Sequence, residues 1–262
     1  MMSKDTVSII LPVFNQEDLI VKVCRGIISN ISNNVKEIII ILDGCTDNTE
    51  KNLLGIINEF PFQPKITHEP NIFEVKATNV GFKLSTCEYS LTIQDDMVLN
   101  EKDFDKRMLK PFKTFSNILA VTSRDSVDVV PLGDGSHLKF INVAGRDVGI
   151  ARNVFAIRDA INRGCILFDN EKVQTLNYMD ESYAPQNLDE VDIGIRGYIN
   201  HGWFVGAYAA DYISELEWGT SRKNLDSGRI FYMSNEKNHK FLLNKYKDFL
   251  IGKKHSKDII IE

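Results

Sequence analysis

Val7-Ser8-Ile9-Ile10-Leu11-Pro12-Val13-Phe14 is apolar at almost every position. A strand with one wet face alternates, so an unbroken apolar run predicts a strand covered on both faces, as in a parallel sheet. Glu37-Ile38-Ile39-Ile40-Ile41-Leu42 is a second such run. Between them, Leu19, Ile20, Val23, Cys24, Ile27 and Ile28 recur at helical spacing. Together they predict a βαβ unit with a right-handed crossover. The polar stretch Asp43 to Glu50 marks a loop, and Asp47 followed by Glu50 resembles a capping box. Leu53, Leu54, Ile56 and Ile57 give the next helix its apolar side, and Pro61 and Pro64 end it. A short strand near Ile66, a helix from Glu74 to Ser85 interrupted by Gly81, and a strand from Tyr89 to Ile93 complete the first hundred residues.

The second half is less regular. Leu119 to Thr122 reads as a strand. Val127 to Pro131 and Leu138 to Val143 flank Gly133-Asp134-Gly135 as a hairpin. Arg152 to Asn162 reads as a short helix. Asp189 to Ile199 reads as another, with Val191, Ile195 and Ile199 on one side. The Lys-rich tail after Asn235 holds a terminal helix over Phe241 to Phe249. The layout is a ligand-binding half (1–100), a second half of the same domain (101–215) and a tail (216–262). Alternating strands and helices argue for an open α/β sheet, mostly parallel and Rossmann-like, with helices on its faces. Ligands of such sheets gather beyond the carboxyl ends of the strands.

Composition narrows this picture. With 262 residues, 43% of them hydrophobic and 26% charged, the chain is long enough for one large α/β domain. A net charge of -5 gives no reason to expect a nucleic-acid partner. Cys24, Cys45, Cys87 and Cys165 form no CxxC pair, which fits reduced thiols in a cytoplasmic protein. No apolar run reaches the ~20 residues of a membrane span, so the expected membrane association is peripheral at most. The polar start lacks the apolar core of a signal peptide.

Asp95-Asp96 then stands out, because two like charges follow an apolar strand. On their own they read as a solvated turn. Hard divalent cations prefer carboxylate oxygens and often bridge to substrate phosphates, which gives the pair a use. Around it stand Pro12-Val13-Phe14-Asn15-Gln16-Glu17, Leu42-Asp43-Gly44-Cys45-Thr46-Asp47, and Asn71 followed by Ala77-Thr78-Asn79-Val80-Gly81. The order and spacing of these motifs over residues 7 to 97 resemble the family-two inverting glycosyltransferases of the GT-A fold.

That resemblance implies a GT-A sheet with a smaller acceptor-side subregion, and a nucleoside-diphosphate sugar as donor, a UDP-sugar ahead of others. Pro12, Phe14, Asn15, Glu17 and Asp43 are then expected around base and ribose, with Lys76 and Asn79 in the same binding set. Asp95 would meet ribose or metal-bound water, and Asp96 would hold Mn2+ or Mg2+. Plainer uses stay open: Asn15 as a helix cap, Glu17 against a helix dipole, Asp47 as a cap. Leu42, Thr78 and Gln94 depart from the family's usual acid, Arg and acid, and Lys76 or Lys83 would replace the missing charge.

An inverting transfer also needs a base within reach of the acceptor hydroxyl. Met179-Asp180-Glu181-Ser182-Tyr183 and Leu188-Asp189-Glu190-Val191-Asp192-Ile193-Gly194-Ile195-Arg196 resemble the family's catalytic segment. Glu190 aligns with the base, Asp189 is the alternative, and Asp192 orients a neighbour or pairs with Arg196. Arg158 and Trp203 are candidates for the sugar pocket, with a surface Arg and a core Trp as their plainer uses. His201, His239 and His255 are candidates for an extra metal ligand, since the resemblance includes enzymes with a distal His, and surface or satisfied histidines are their plainer reading. The expected activity is sugar transfer to a hydroxyl of a glycan, lipid-linked or protein acceptor. Two rivals remain. A sugar-phosphate nucleotidyltransferase would need a Gly-rich basic loop that PVFNQED lacks. The other is a non-catalytic sugar-nucleotide-binding relative.

Overall fold

A computed structural model describes residues 5–133, 137–219 and 225–262. The first half follows the apolar pattern closely: β1 (Val7–Val13), α1 (Ile20–Asn30), β2 (Val35–Asp43), α2 (Thr49–Gly55), β3 (Lys65–Glu69), α3 (Glu74–Leu84) and β4 (Tyr89–Thr92). β1 pairs in parallel with β2 and β4, and β2 with β3. Alternate residues of β1 serve opposite faces of the sheet. Ile9, Leu11 and Val13 pack with α1 residues Val23 and Ile27, whereas Ile10 packs with Val75 and Phe82 of α3. Both faces are dry, which is why β1 is apolar throughout. Gly81 has a packing reason. A Cβ there would lie 2.2 Å from Ile10 Cγ2, so α3 sits close against β1 only without a side chain at this position.

The rest of the chain extends this sheet from its other side. It supplies β5 (Val98–Leu99), α4 (Phe104–Thr114), β6 (Ile118–Thr122), β7 (Asp125–Pro131), β8 (Leu138–Gly145), β9 (Val154–Arg158), β10 (Ala160–Ile161) and β11 (Ile166–Asp169). α5 (Asn170–Thr175), α6 (Asp189–His201), β12 (Phe204–Ala207), β13 (Tyr212–Ile213), α7 (Leu225–Lys245), α8 (Lys247–Ile251) and β14 (Lys257–Ile260) follow. Among the described residues, the nine strands of the main sheet run β14-β9-β12-β6-β11-β4-β1-β2-β3. Only β11 and β9 oppose the common direction, so the sheet is mixed but mostly parallel. β10, β7 and β8 form a separate small sheet.

Two sequence expectations are corrected. Residues 152–162 hold β9 and β10, not a helix. Phe155, Ala156 and Ile157 are all buried because β9 lies between β12 and β14, and a fully buried strand has no alternation to betray it. The terminal helix is also longer than the apolar stretch that suggested it, running as α7 and α8, and the tail then returns as β14. The β7–β8 hairpin forms as expected, although Asp134 and Gly135 of its turn lie outside the described residues. In α6, Val191 and Ile195 are buried while Ile199 is half exposed.

Candidate active site

β1, β2 and β4 end at one edge of the sheet, and their loops are fastened to each other. Asn15, at φ +50, accepts from Thr46 N through Oδ1 at 2.8 Å. Glu17 Oε2 accepts from Asn48 N at 2.9 Å and from its side chain at 2.8 Å. Asp47 Oδ1 takes Thr49 N at 3.0 Å, a local cap at the start of α2. Asn15 and Glu17 are thus straps between the first two loops, and neither lines the cavity beside them. Asp43 Oδ1 accepts from Ile72 N at 2.6 Å. Next to it Gly44 has φ +72, and a Cβ there would lie 2.7 Å from Asn71 N. A left-handed backbone pressed against another chain segment requires glycine. The clasp places Asn71 and Phe73 beside the strand ends.

Asp95 is fixed from the first strand's loop. Its Oδ2 accepts from Phe14 N at 2.9 Å and its Oδ1 from Gln16 Nε2 at 3.4 Å. Burial pushes this carboxyl up to about 7; the Phe14 N–H works against the rise, while Asp96 and Glu74 add to it.

The third set of groups arrives by topology. Arg163 lies just before β11, and β11 is antiparallel to β4. Its first residues therefore lie at the edge where the parallel strands end. Arg163 Nη1 donates to Glu74 Oε2 at 2.7 Å, and Nη2 donates to Glu190 Oε2 at 3.1 Å and also to Asp189. Glu74 opens α3, and Asp189 and Glu190 open α6. Burial alone would lower the guanidinium's pKa, but Asp189, Glu190 and Glu74 outweigh it and hold the pKa well above its ordinary value. Burial raises the Glu190 carboxyl; Arg163 opposes that rise and Asp189 adds to it. Gln94 Nε2 donates to Glu74 Oε1 at 3.0 Å, which ties this hub to the segment carrying Asp95 and Asp96.

All of this surrounds one cavity of about 590 Å³. Of the residues expected from sequence, Pro12, Phe14, Asp43, Asp95, Asp96 and Glu190 line it. Asp189 stands behind Glu190, on Arg163. The donor set fits a hard divalent cation, since carboxylate oxygens gather in a partly dry cavity where their charges repel. Among the described residues no group of three or more His, Cys, Asp or Glu is arranged to hold a metal. The Asp95–Asp96 pair would be the protein's share of such a site. A Mg2+-like ion ordinarily fills its other positions with phosphate oxygens and water.

The model of glycosyl transferase family 2 matches residues 8–175. The chain belongs to that family. The matched segment takes in β1, β2, β4 and Arg163, and stops short of α6. No curated protein matches the chain. Among solved structures, S. aureus TarS 1-349 in complex with UDP is 13% identical with a TM-score of 0.54, over 87% of this chain and 65% of that one. GalNAc-T7 with UDP, GalNAc and Mn2+ is 11% identical with a TM-score of 0.62, over 79% of this chain and 44% of that one. A longer TarS structure is covered over only 37% of its length. The chain thus spans roughly a third to two thirds of these structures. The likeness is one of fold, a GT-A sheet flanked by helices.

Several family-derived expectations fall elsewhere in the molecule. Arg158 is buried in β9, where it donates to Asn142 O at 2.8 Å and Asp258 Oδ1 at 2.8 Å and so fastens β14. It does not line the cavity. Asp192 is fully buried under Arg196, Lys245 and Tyr246, so it orients neighbours and cannot touch a sugar. Trp203 stacks on His201 with ring centres 4.1 Å apart and packs on the second core cluster. Asn79 Nδ2 donates to Met179 O at 3.0 Å and lines a separate cavity of about 430 Å³. Lys76 sits on α3 outside the lining. His255 stacks on Tyr198, and His239 Nδ1 accepts from Leu138 N at 3.1 Å, so both are structural.

Sequence reading also missed several lining residues: Glu74, Arg163, Arg124, Phe73 and Tyr232. Glu74 carried a faint signal, an acid in the first turn of an expected helix. Arg163 carried none, because its position depends on the direction of β11.

Proposed function

We propose that this chain is an inverting glycosyltransferase that moves a sugar from a UDP-sugar to an acceptor hydroxyl. The observation that carries this reading is that Glu190 and the Asp95–Asp96 pair line one cavity from opposite sequence halves. Pro12, Phe14 and Asp43 wall the nucleotide side. Glu190 takes the proton of the attacking hydroxyl while that oxygen bonds to the anomeric carbon and the bond to the diphosphate breaks. A single displacement of this kind inverts the anomeric centre. A general base contributes on the order of 10²- to 10⁴-fold to such a step.

Asp96, with Asp95 behind it, would hold Mn2+ or Mg2+, which when bound offsets charge on the departing diphosphate. Asp95 itself acts by bracing: its bonds to Phe14 N and Gln16 join the acid pair to the nucleotide wall. Asp189 keeps Arg163 in place beside the base. Four free cysteines, two of them buried, support a reducing, cytoplasmic setting, and no described helix is long and apolar enough to cross a membrane. Titration of the protein with UDP, with and without Mn2+, tests the donor side. Tighter binding with Mn2+ is expected, and Asp96→Ala should remove that gain. Equal affinity in both conditions would overturn the metal's place.

A further inference from the structure

A general base has to be ionised when the acceptor arrives, yet Glu190 is buried beside Asp189 in a cavity that also holds Asp95, Asp96 and Glu74. Each of these acids favours the protonated, useless form of Glu190. The one cation in direct contact with Glu190 among the described residues is Arg163, at 3.1 Å. Arg163 is shared three ways, with Glu74 on α3 and Asp189 on α6 as its other partners. A guanidinium offers five donors in a planar fork, so it can hold three carboxylates where an ammonium, a compact point charge, cannot hold them in plane. Backbone fixes the arginine as well. Gly164 follows it, where a Cβ would meet Arg124 Cβ at 2.8 Å, and Arg124 Nη1 donates to Arg163 O at 3.3 Å.

From this geometry we infer that Arg163 is the positioning residue of the catalytic base: it aims Glu190 into the cavity, favours its carboxylate form against burial and Asp189, and through Glu74 links that state to the donor-side helix. The inference rests on the reading of Glu190 as base. Two opposed consequences follow from the sharing. Without Arg163, Glu190 loses the one cation among the described residues that touches it, and its pKa rises. Without the charge on Glu74, Arg163 is less divided and the Glu190 pKa falls. A residue that merely props up the fold would not move the same group in opposite directions.

The test reads Glu190 itself and needs no donor. Protein labelled with ¹³C at the glutamate carboxyl is titrated by NMR, and the resonance missing from Glu190→Gln is that of Glu190. In Arg163→Gln its midpoint should rise by about 1–3 pH units, the range typical of losing an adjacent opposite charge. Arg163→Lys keeps the charge and the fold, and should show a smaller rise. Glu74→Gln should lower the midpoint. An unmoved midpoint in both Arg163 variants, or a rise in Glu74→Gln, overturns the inference. The base reading fails separately: if Glu190→Gln still turns over a UDP-sugar, Glu190 is not the base, whatever Arg163 does to its midpoint.

Discussion

The proposed donor half (1–100) and the proposed acceptor half with its tail (101–262) reach the same cavity by different architectural routes. In the donor half, each strand runs parallel to the last, and each loop at the cavity follows the strand that precedes it in sequence. In the acceptor half, β11 and β9 are reversed, a hairpin is set apart in its own sheet, and the C-terminal tail supplies β14. Cavity groups there come from before a strand (Arg163) or from a helix start (Glu190). Repeating one unit makes the first half predictable. The second half is held together by specific polar clamps, among them Arg158 on Asp258 and Lys254 on Asp159 at 2.7 Å.

The sharpest way to break this comparison is to separate binding from turnover. Glu190→Gln should leave UDP affinity intact and reduce turnover of a UDP-sugar by about 10²- to 10⁴-fold, the usual contribution of a general base. Asp96→Ala should impair both. Loss of UDP binding in Glu190→Gln would mean that the two halves do not divide the work in this way.

The same contrast explains what could be read in advance. β1 and β2 were legible because a strand buried on both faces is an unbroken apolar run, and Asp43, Asp95 and Asp96 because they come at the ends of strands of this sheet. Glu190 was legible as an acid opening a periodic helix. β9 was not, since Val154-Phe155-Ala156-Ile157 has neither alternation nor length to distinguish it from a buried helical turn. Arg158 was misplaced for a related reason: an Arg after an apolar stretch looks exposed unless the strand that will cover it, β14, is foreseen a hundred residues later. Asn15 and Glu17 were placed at the right loop, but their bonds to Thr46 and Asn48 were not foreseen, because nothing local says that those residues will come within hydrogen-bond reach.

Two stability measurements sharpen the contrast further. Gly81→Ala drives a Cβ to within 2.2 Å of Ile10 Cγ2 in the tightest packing of the donor half. It should cost about 3 kcal/mol, the upper part of the range for overpacking. Chemical denaturation would show it as a lower midpoint. Arg158→Met keeps the bulk but strands carbonyls of Asn142 and Lys257, and should cost about 2 kcal/mol. UDP affinity should stay unchanged in this variant. A variant that folds with wild-type stability and binds UDP more weakly would return Arg158 to the sugar pocket.

The smallest effect expected is a pH dependence carried by a histidine of the acceptor half. His239 sits on α7 facing the β7–β8 hairpin, and its Nδ1 accepts from Leu138 N at 3.1 Å. Burial lowers its pKa below the ordinary 6.5, and the nearby His137 ring lowers it further. The folded state therefore binds fewer protons than the unfolded chain below that value. The contribution is fully present above pH 6.5 and is lost as pH falls toward the folded pKa. A single half-buried imidazole of this kind should contribute less than about 1 kcal/mol. Carboxylates with lowered values, such as Asp47 and Glu37, lose their contributions at lower pH, below the ordinary 3.8 and 4.5. His255 shares the His239 window, because burial lowers its pKa too, against Asp159 and Asp128. His239→Asn keeps an acceptor for Leu138 N without a titrating ring. The change in denaturation midpoint from pH 7 to 5 should then lose the His239 part, leaving His255 acting in the same direction and the raised carboxyls of Asp95 and Glu190 acting in the opposite one. An identical slope in the variant would show that the hairpin and α7 are not coupled through this ring, and that the polar clamps of the acceptor half lie only around β14.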